Sequence, residues 1–430
     1  MTLLMTIDFM QFEKHKLSNG TRLITVPDNS TGAFTVLVLF SVGSRYESRK
    51  INGISHYIEH LMFKGTKKRP NTQVISKELD AYGAEYNAFT SKDYTGYYVK
   101  INAEKKLKAI DIVSDMVHNS KFDAKELNHE RNVIIEEIHM YRDNPMMHIE
   151  DMLEEEMFGD TPLGWSIAGY EKTMKGISRK DIIDFYKKHY IPKNTVVIFS
   201  GNFGKMDVVQ IAEKYFACHK STKPATKCKP FNNQFKQKIK IDHKETGQLQ
   251  IAMAFPGLSY KHKDMPALSL LANILGGTMS SRLFIQVRER RGLAYFVRAM
   301  VNPYQDTGAL VIRAGLNKEN LDLAVKTILK ETKKIKLQGV SMSELKRAKE
   351  NIRGHIVLAM EDSSFIASWL GKQELLMKKT ETLEEQIKKM DKVSPADIKR
   401  IANKIFNLKK ISVACIGPIK TEKQIKHLLK

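Results

Sequence analysis

Residues 31–40, TGAFTVLVLF, recur in altered form at residues 246–255, TGQLQIAMAF. Both stretches place a run of aliphatic, β-branched and aromatic residues after a Thr-Gly pair, and such runs are typical of buried strands. Two further pairs of segments are similar at nearly the same separation of 212 to 216 residues, namely 96–117 with 308–329 and 177–201 with 393–417. Three matches in one register indicate a duplicated domain.

Each copy is predicted to run from a strand through a long helix and further strands to two or three helices and a closing strand. Ser178 and Ser394 are predicted helix N-caps, because each is followed three residues later by an aspartate, Asp181 or Asp397. We therefore predict an α+β fold of two homologous domains, each a mostly antiparallel sheet with helices packed on one face.

The stretch between the copies has the composition of a linker. Residues 217–240, ACHKSTKPATKCKPFNNQFKQKIK, are polar and Lys-rich and contain two Pro. We predict a first domain over residues 1–220, a linker over 221–240 and a second domain over 241–430. A chain of 430 residues is long for one compact domain and sufficient for two.

The net charge of +22, from 70 Lys and Arg against 48 Asp and Glu, raises the question of a nucleic-acid or membrane partner. The basic residues are scattered singly and in short pairs, and no RRM or zinc-finger signature is present. No apolar run approaches the roughly 18 residues of a membrane span. We therefore assign the charge to a solvated surface and predict neither partner.

Three cysteines, Cys218, Cys228 and Cys415, are an odd and low number that fits a reducing compartment. The first residues, MTLLMTIDFMQFEKHKL, lack the features of a secretory signal or a transit peptide. These two observations predict a cytoplasmic protein.

The segment GISHYIEHLMFKGT at residues 53–66 carries the strongest chemical signal. It predicts a helix from about Ile54 to Phe63, on which His56 and His60 are four residues apart and project from one face. Two imidazoles so placed can share one Zn²⁺, and Glu59 lies beside the position of an attacking water. The pattern H-x-x-E-H is the inverzincin signature, although it also arises by chance in a small share of sequences.

A third zinc ligand is expected on another element, and the best candidate stretch is ELNHERNVIIEEIHM at residues 126–140. Glu130 and Glu137 are seven residues apart and share a helical face. Glu136 is the rival ligand, although it points about 100° away from Glu137. A solvated acidic helix is the alternative interpretation of this stretch on its own.

The second copy serves as an internal control for the site. The offset of 215 places Leu271, Ile274 and Leu275 where the first copy has His56, Glu59 and His60. The local offset of 218 places His355 opposite Glu137 and Ala348 opposite Glu130. Only the first copy is therefore predicted to bind metal.

With these motifs the sequence resembles the M16 (pitrilysin-like) metallopeptidases, in particular the short mitochondrial-processing-peptidase-like branch, over nearly its whole length. HYIEHLMFKGT is similar to the family's HxxEH helix and the FKGT that follows. Seventy-six residues lie between His60 and Glu137, which is the family's spacing for its third ligand within an ERxVIxxE segment. The resemblance thus implies His56, His60 and Glu137 as ligands of one zinc per chain, Glu59 as the base and Glu130 as the acid that supports the site.

The resemblance extends to two segments that bind substrate in the family. GAEYNAFTSKDYTGYY looks like its substrate-binding edge strand, which implies that Asn87, Ala88 and Phe89 pair with an extended peptide. SSRLFIQVRERRGLAY resembles the segment of an arginine–tyrosine pair, and Arg288 and Tyr295 fit its positions. In the family reading, this pair hydrogen-bonds the substrate carbonyl and steadies the oxyanion.

The resemblance implies a zinc-dependent endopeptidase that cleaves unfolded peptides or short polypeptides. A chain of this length corresponds to half of a clamshell, so a dimer that encloses a chamber is expected, either a homodimer or a heterodimer with a second M16-like subunit. The alternative function is a non-catalytic or regulatory subunit of such a heterodimer. Relatives of that kind usually lose part of HxxEH, which this sequence retains in full.

Overall fold

The computed structural model describes residues 11–219, 221, 223–232 and 234–429. The first ten residues of the segment interpreted as lacking an export signal lie outside the described residues. The described chain forms eleven strands: β1 Glu13–Lys16, β2 Arg22–Pro27, β3 Ala33–Phe40, β4 Glu85–Thr90, β5 Thr95–Asn102, β6 Thr195–Gly201, β7 Lys238–His243, β8 Leu249–Pro256, β9 Ala294–Pro303, β10 Gly308–Leu316 and β11 Ser412–Gly417.

Fifteen α-helices and three π-helical turns accompany these strands in the described residues. The helices are α1 Ile54–Met62, α2 Thr72–Asp80, α3 Lys106–Asn119, α4 Ala124–Asp143, α5 Pro145–Phe158, α6 Glu171–Gly176, α7 Arg179–His189, α8 Val208–Phe216, α9 Met265–Ala272, α10 Leu321–Gln338, α11 Met342–Ala359, α12 Ser363–Lys372, α13 Leu383–Asp391, α14 Pro395–Ile405 and α15 Lys423–Lys426. The π-helical turns are Asn273–Gly277, Phe284–Glu289 and Gln373–Met377.

The two sheets share one topology over five strands, and the first sheet has β1 as an additional edge strand. The first has the strand order β1-β2-β6-β3-β5-β4, and the second has the order β7-β11-β8-β10-β9. In each sheet one neighbouring pair is parallel, β2 with β6 and β7 with β11, and the other pairs are antiparallel. The predicted α+β class, with two homologous domains and mostly antiparallel sheets, is confirmed. Both predicted N-caps also form, at the start of α7 and of α14.

The chain divides into two compact units that draw on both halves of the sequence. Unit 1 comprises the described part of Met1–Ile138, with Ser166–Lys229 and Val357–Gln386. Unit 2 comprises His139–Trp165, Pro230–Ile356 and the described part of Ile387–Lys430. Each half of the sequence therefore contributes one segment to the unit built mainly by the other half. The predicted boundaries, with a first domain over residues 1–220, a linker over 221–240 and a second domain over 241–430, stay a prediction.

The exchanged segments cover the second face of each sheet. In unit 1, Phe34, Val36 and Val38 of β3 pack in one core with α1 and α3. The alternate residue Thr35 faces the opposite side, where its hydroxyl hydrogen-bonds that of Ser363 in α12 at 2.8 Å. In unit 2, Ala252 of β8 likewise belongs to a separate core with α5. Each sheet thus has helices of its own half on one face, as predicted, and one helix of the other half on the opposite face.

Helices long and apolar enough to cross a membrane are absent from the described ranges. The positions that the duplication places opposite the histidine motif are buried and apolar, with Leu271 and Leu275 at 0% exposure and Ile274 at 6%. The second copy therefore uses this helix for its hydrophobic core.

Candidate metal centre

Two helices bring the predicted zinc ligands together. His56 and His60 lie on α1, and Glu137 lies on α4. The Nε2 atoms of the two histidines are 3.3 Å apart, and Oε2 of Glu137 lies 3.4 Å from Nε2 of His60 and 3.7 Å from Nε2 of His56. The rival residue, Glu136, has an exposed side chain and is not part of this cluster.

The geometry of the three donor atoms fits a zinc ion. Ligands bound 2.0–2.1 Å from a tetrahedral ion lie about 3.3 Å apart, which is close to all three separations. Two imidazole nitrogens and a carboxylate are also the donor set of known catalytic zinc sites. Nδ1 of His56 is buried without a hydrogen-bond partner in the described structure, so no carboxylate or carbonyl group orients this ring through Nδ1.

Glu130 orients the second histidine. Its Oε2 lies 3.2 Å from Nδ1 of His60, and its Oε1 accepts a hydrogen bond from Nζ of Lys64 at 2.7 Å. Burial of Glu130 would raise its pKa, but the hydrogen bonds to His60 and Lys64 outweigh that effect and lower the pKa to about 2. An ionised carboxylate on Nδ1 directs Nε2 of His60 toward the other donor atoms, as is usual for histidine ligands of metals.

The two histidines differ in their affinity for protons. Burial, together with the neighbouring His60, lowers the pKa of His56 to about 4. Burial acts in the same direction on His60, but its hydrogen bonds with Glu130 and Glu137 outweigh it and raise the pKa to about 9. The cluster therefore attracts positive charge, which a proton on His60 or a metal cation can supply.

Glu59 lies one residue before His60 on α1 and is held by the first sheet. The hydroxyl of Thr90, the last residue of β4, donates a hydrogen bond of 2.5 Å to Oε2 of Glu59. Burial raises the pKa of the Glu59 carboxyl above its usual range. The sequence did not single out Thr90, because residues from separate elements become neighbours only in the folded sheet.

The predicted substrate strand lies at the edge of its sheet. Among the described residues β4 pairs with β5 alone, so its other edge is open to an added strand. Asn87 is exposed, Phe89 is half-buried, and Ala88 is buried with 8% exposure. The side-chain oxygen of Asn87 accepts a hydrogen bond from the backbone N–H of Ala88 at 2.8 Å.

Arg288 and Tyr295 are neighbours in unit 2. Arg288 lies in the turn Phe284–Glu289, and its guanidinium carbon is 5.9 Å from the centroid of the Tyr295 ring and 4.9 Å from that of Phe284. Both members of the predicted pair are exposed, with 70% exposure for Tyr295. An exposed arginine stacked between rings is available to a ligand from solution.

Glu47 fixes the start of the metal helix, a role that the sequence analysis missed. Its Oε2 accepts hydrogen bonds from the backbone N–H of Gly53 at 2.7 Å and from the amide of Asn52 at 2.9 Å, and its Oε1 accepts one from the N–H of Ser55 at 2.9 Å. Burial raises the pKa of Glu47 to about 7 against these hydrogen bonds, which lower it. Glu47 lies six residues before Gly53, outside the spacing of a capping box, so no local sequence motif identifies it as the cap of α1.

Gly53 is required where the chain enters this helix. Its φ of +97° lies in the left-handed region, which favours glycine. A Cβ at this position would lie 2.7 Å from the carbonyl oxygen of Ala168, so any side chain would displace the backbone at the first turn of α1.

Replacing Glu47 with glutamine is expected to destabilise the protein by about 1–3 kcal/mol and to weaken zinc binding. Glutamine offers one carbonyl oxygen in place of two carboxylate oxygens, so a buried N–H at the start of α1 loses its acceptor. Urea unfolding and zinc titration measure the two effects. Glu104→Gln, at an exposed carboxylate of the same unit, is the control. Unchanged unfolding and unchanged zinc affinity in Glu47→Gln would show that the cap is dispensable.

Comparison with known families gives two matches, which together span residues 22–171 and 176–352. Residues 22–171 match the family described as insulinase (peptidase family M16), and residues 176–352 match the one described as the peptidase M16 inactive domain. The chain is 34% identical over 407 residues to the uncharacterized zinc protease YmxG of Bacillus subtilis (strain 168), covering 94% of this chain and 98% of the relative. It is 32% identical over 418 residues to an uncharacterized zinc protease of Streptomyces coelicolor, covering 96% and 90%.

Solved structures agree with these matches. The crystal structure of a protease from Helicobacter pylori superimposes with a TM-score of 0.89 at 25% identity, covering 95% of this chain and 100% of that one. A structure described as the peptidase M16 inactive domain from Pseudomonas fluorescens superimposes with a TM-score of 0.88 at 21% identity, covering 96% and 99%. The second likeness bears on the fold alone.

Proposed function

The chain belongs to peptidase family M16, and we propose that it is a zinc-dependent endopeptidase that hydrolyses unfolded peptides or short polypeptides. The observation that carries this proposal is the convergence of His56, His60 and Glu137 at separations that suit one zinc ion, with Glu59 beside them. The similarity to zinc proteases over more than nine-tenths of the chain supports the same reaction.

His56, His60 and Glu137 would hold the metal, which supplies Lewis acidity toward the scissile carbonyl and lowers the pKa of a water. Glu59 takes a proton from the attacking water and later donates it to the leaving amine. Thr90 keeps the Glu59 carboxylate in one orientation by its hydrogen bond. Glu130 keeps His60 in the tautomer that presents Nε2 to the cation.

Substrate recognition is proposed to use the open edge of β4. An extended peptide can add to this edge by backbone hydrogen bonds, with Asn87, Ala88 and Phe89 opposite it. Arg288 and Tyr295 would hydrogen-bond the substrate carbonyl and stabilise the oxyanion. Strand addition requires a peptide without tertiary structure, so a stable folded protein should be cleaved slowly.

Chelation tests this proposal directly. A fluorogenic peptide of some tens of residues should be cleaved by the purified chain, and a strong chelator should abolish the activity. Zinc should restore it, saturating at one ion per chain at the site formed by His56, His60 and Glu137. Cleavage that persists after proven removal of all metal would contradict the assignment.

The alternative is a non-catalytic or regulatory subunit of an M16-type heterodimer. That function predicts a zinc-loaded chain that cleaves no peptide alone and gains activity only with a second subunit. A nucleic-acid-binding function, suggested by the charge of +22 alone, predicts salt-dependent binding to DNA without peptide cleavage. The presence of Glu59 together with all three proposed ligands favours the catalytic function over both.

We also propose a homodimer in which Arg288 and Tyr295 of one chain serve the zinc site of the other. In a two-fold dimer, Glu59→Gln in one chain and Arg288→Ala with Tyr295→Phe in its partner leave one site with both defects and the other with none. Equal mixing of the two inactive variants makes about half of the dimers mixed, so about a quarter of the wild-type activity should return. No recovery, once subunit exchange is demonstrated with two affinity tags, would contradict the shared site.

A cytoplasmic location is proposed from the cysteines. The chain has three, and none of them forms a disulfide in the described structure. Free cysteines in a low, odd number are typical of a reducing compartment. Detection of the protein in the membrane or exported fraction of its native cells would contradict this location.

A further inference from the structure

A second cluster of side chains that could bind a metal ion lies in unit 1 and shares no residue with the HxxEH site. His118 is on the last turn of α3, and Cys218 and His219 follow the end of α8. One ring nitrogen of each histidine and Sγ of Cys218 all lie within 4.8 Å of one another. The catalytic chemistry proposed for the HxxEH site does not involve these three residues.

The backbone that carries the cluster is fixed by buried side chains. The amide of Asn19 donates hydrogen bonds of 2.9 Å to the carbonyl oxygens of Phe216 and His219, on either side of Cys218. Ser114 of α3 donates a hydrogen bond of 2.9 Å to the carbonyl oxygen of Tyr215, which ties α3 to the end of α8. The three donors are therefore presented by a preformed turn and by a helix attached to it.

His118 has a ring nitrogen that the protein leaves unused. Its Nε2 is buried and has no hydrogen-bond partner in the described structure. A buried polar atom without a partner is costly, so such an atom calls for an explanation, and an ion is one. The ring centroids of His118 and His219 are 4.8 Å apart.

We propose that His118, Cys218 and His219 bind one zinc ion in a structural site that is separate from the catalytic centre. Two imidazoles and one thiolate are a suitable donor set for Zn²⁺, and a water would complete the tetrahedron. Ligands of one zinc lie about 3.3–3.7 Å apart, so the side chains close by about 1 Å on binding. The exposed side chains of Cys218 and His219 make the site accessible from solution.

Binding at this site displaces the proton of the Cys218 thiol, because only the thiolate is a ligand, and the proton goes to solvent. The bound ion would connect the C-terminal ends of α3 and α8. The inference does not depend on the proposed peptidase activity, since the two sites share no residue.

Cobalt titration distinguishes the two sites, because a thiolate ligand gives Co²⁺ an intense charge-transfer band in the near ultraviolet. The HxxEH site contains no cysteine, so this band can arise only where a thiolate binds. Titration of the reduced, metal-free full-length chain with Co²⁺ should produce the band, with saturation at one thiolate-bound cobalt per chain. Zinc added afterwards should remove the band by displacement.

Three variants localise the signal. Cys218→Ser should abolish the band, whereas the matched control Cys228→Ser should retain it at full intensity. His118→Phe, which keeps a ring beside Phe216, and His219→Ala should each weaken cobalt binding by at least about 100-fold. Circular dichroism and thermal melting establish whether each variant is folded. If His118→Phe does not fold, His219→Ala, at an exposed position, still tests the site.

The proposal is overturned if wild-type protein gives no thiolate–cobalt band, or if the band survives in Cys218→Ser. Retention of wild-type cobalt affinity by a folded His118→Phe or His219→Ala would also overturn it. Loss of peptide cleavage with an intact band would contradict the peptidase function alone, so the failures of the two proposals are distinguishable.

Discussion

The Glu59→Gln variant is expected to lose at least about 1,000-fold in kcat/KM for peptide cleavage while it still binds zinc. The substitution removes the only group proposed to take the proton from the attacking water, and general-base catalysis contributes about 100- to 10,000-fold. Glutamine has nearly the same shape and can still accept the hydrogen bond from Thr90, so α1 and the ligands His56 and His60 keep their positions.

Measurement of kcat/KM with a fluorogenic peptide, together with metal analysis of the same sample, tests this expectation. The melting temperature of Glu59→Gln should equal or exceed that of the wild type, because the substitution removes a half-buried carboxylate whose ionisation burial opposes. A variant that contains zinc and cleaves peptide at the wild-type rate would show that another group is the base.

A second large effect is expected on zinc binding, and it distinguishes the proposed ligand Glu137 from its neighbour Glu136. Glu137→Gln should weaken zinc binding by at least about 100-fold and abolish peptide cleavage, because it replaces a carboxylate ligand with a neutral amide. Glu136→Gln changes the same functional group one residue earlier, on an exposed face of α4, and should leave zinc affinity and cleavage within about two-fold of the wild type.

Isothermal titration of the metal-free variants with zinc measures both affinities under identical conditions. The HxxEH site must be distinguished from the site proposed at Cys218, so both variants are best prepared with Cys218→Ser. Equal loss of zinc affinity in Glu136→Gln and Glu137→Gln would indicate a general effect of charge on α4 rather than ligation by Glu137.

Helical periodicity predicted which side chains of the metal site share a helical face. The four-residue spacing of His56 and His60 and the seven-residue spacing of Glu130 and Glu137 follow from 3.6 residues per turn, so the sequence predicted shared faces. The same periodicity could only disfavour Glu136, and the choice of Glu137 rested on family resemblance. Periodicity does not show which helices pack together. In the structure α4 lies against the histidine face of α1, which brings Glu137 to His56 and His60.

Other features depend on contacts that no local pattern specifies. Glu47 caps α1 from six and eight residues upstream through a turn, and Thr90 reaches Glu59 from a separate strand. The exchange of helices between the halves is reflected in the sequence of β3, AFTVLVLF, which is a nearly continuous apolar run. In the structure every residue of β3 except Ala33 is buried. A run of that kind is typical of a strand covered on both faces, but it does not identify the covering helix.

The late position of α12 in the sequence affects the order in which the protein can fold on the ribosome. The last strand of the first sheet ends at Gly201, yet Ser363 begins the helix that covers its second face about 160 residues later. At about 5–20 residues per second, translation takes roughly 8 to 30 s to supply it. During that interval Leu37, Leu39 and Ile198 lack their cover, so the nascent chain exposes apolar surface that chaperones bind. The unit with the HxxEH motif can therefore complete its core only after Lys372, the last residue of α12, has been synthesised.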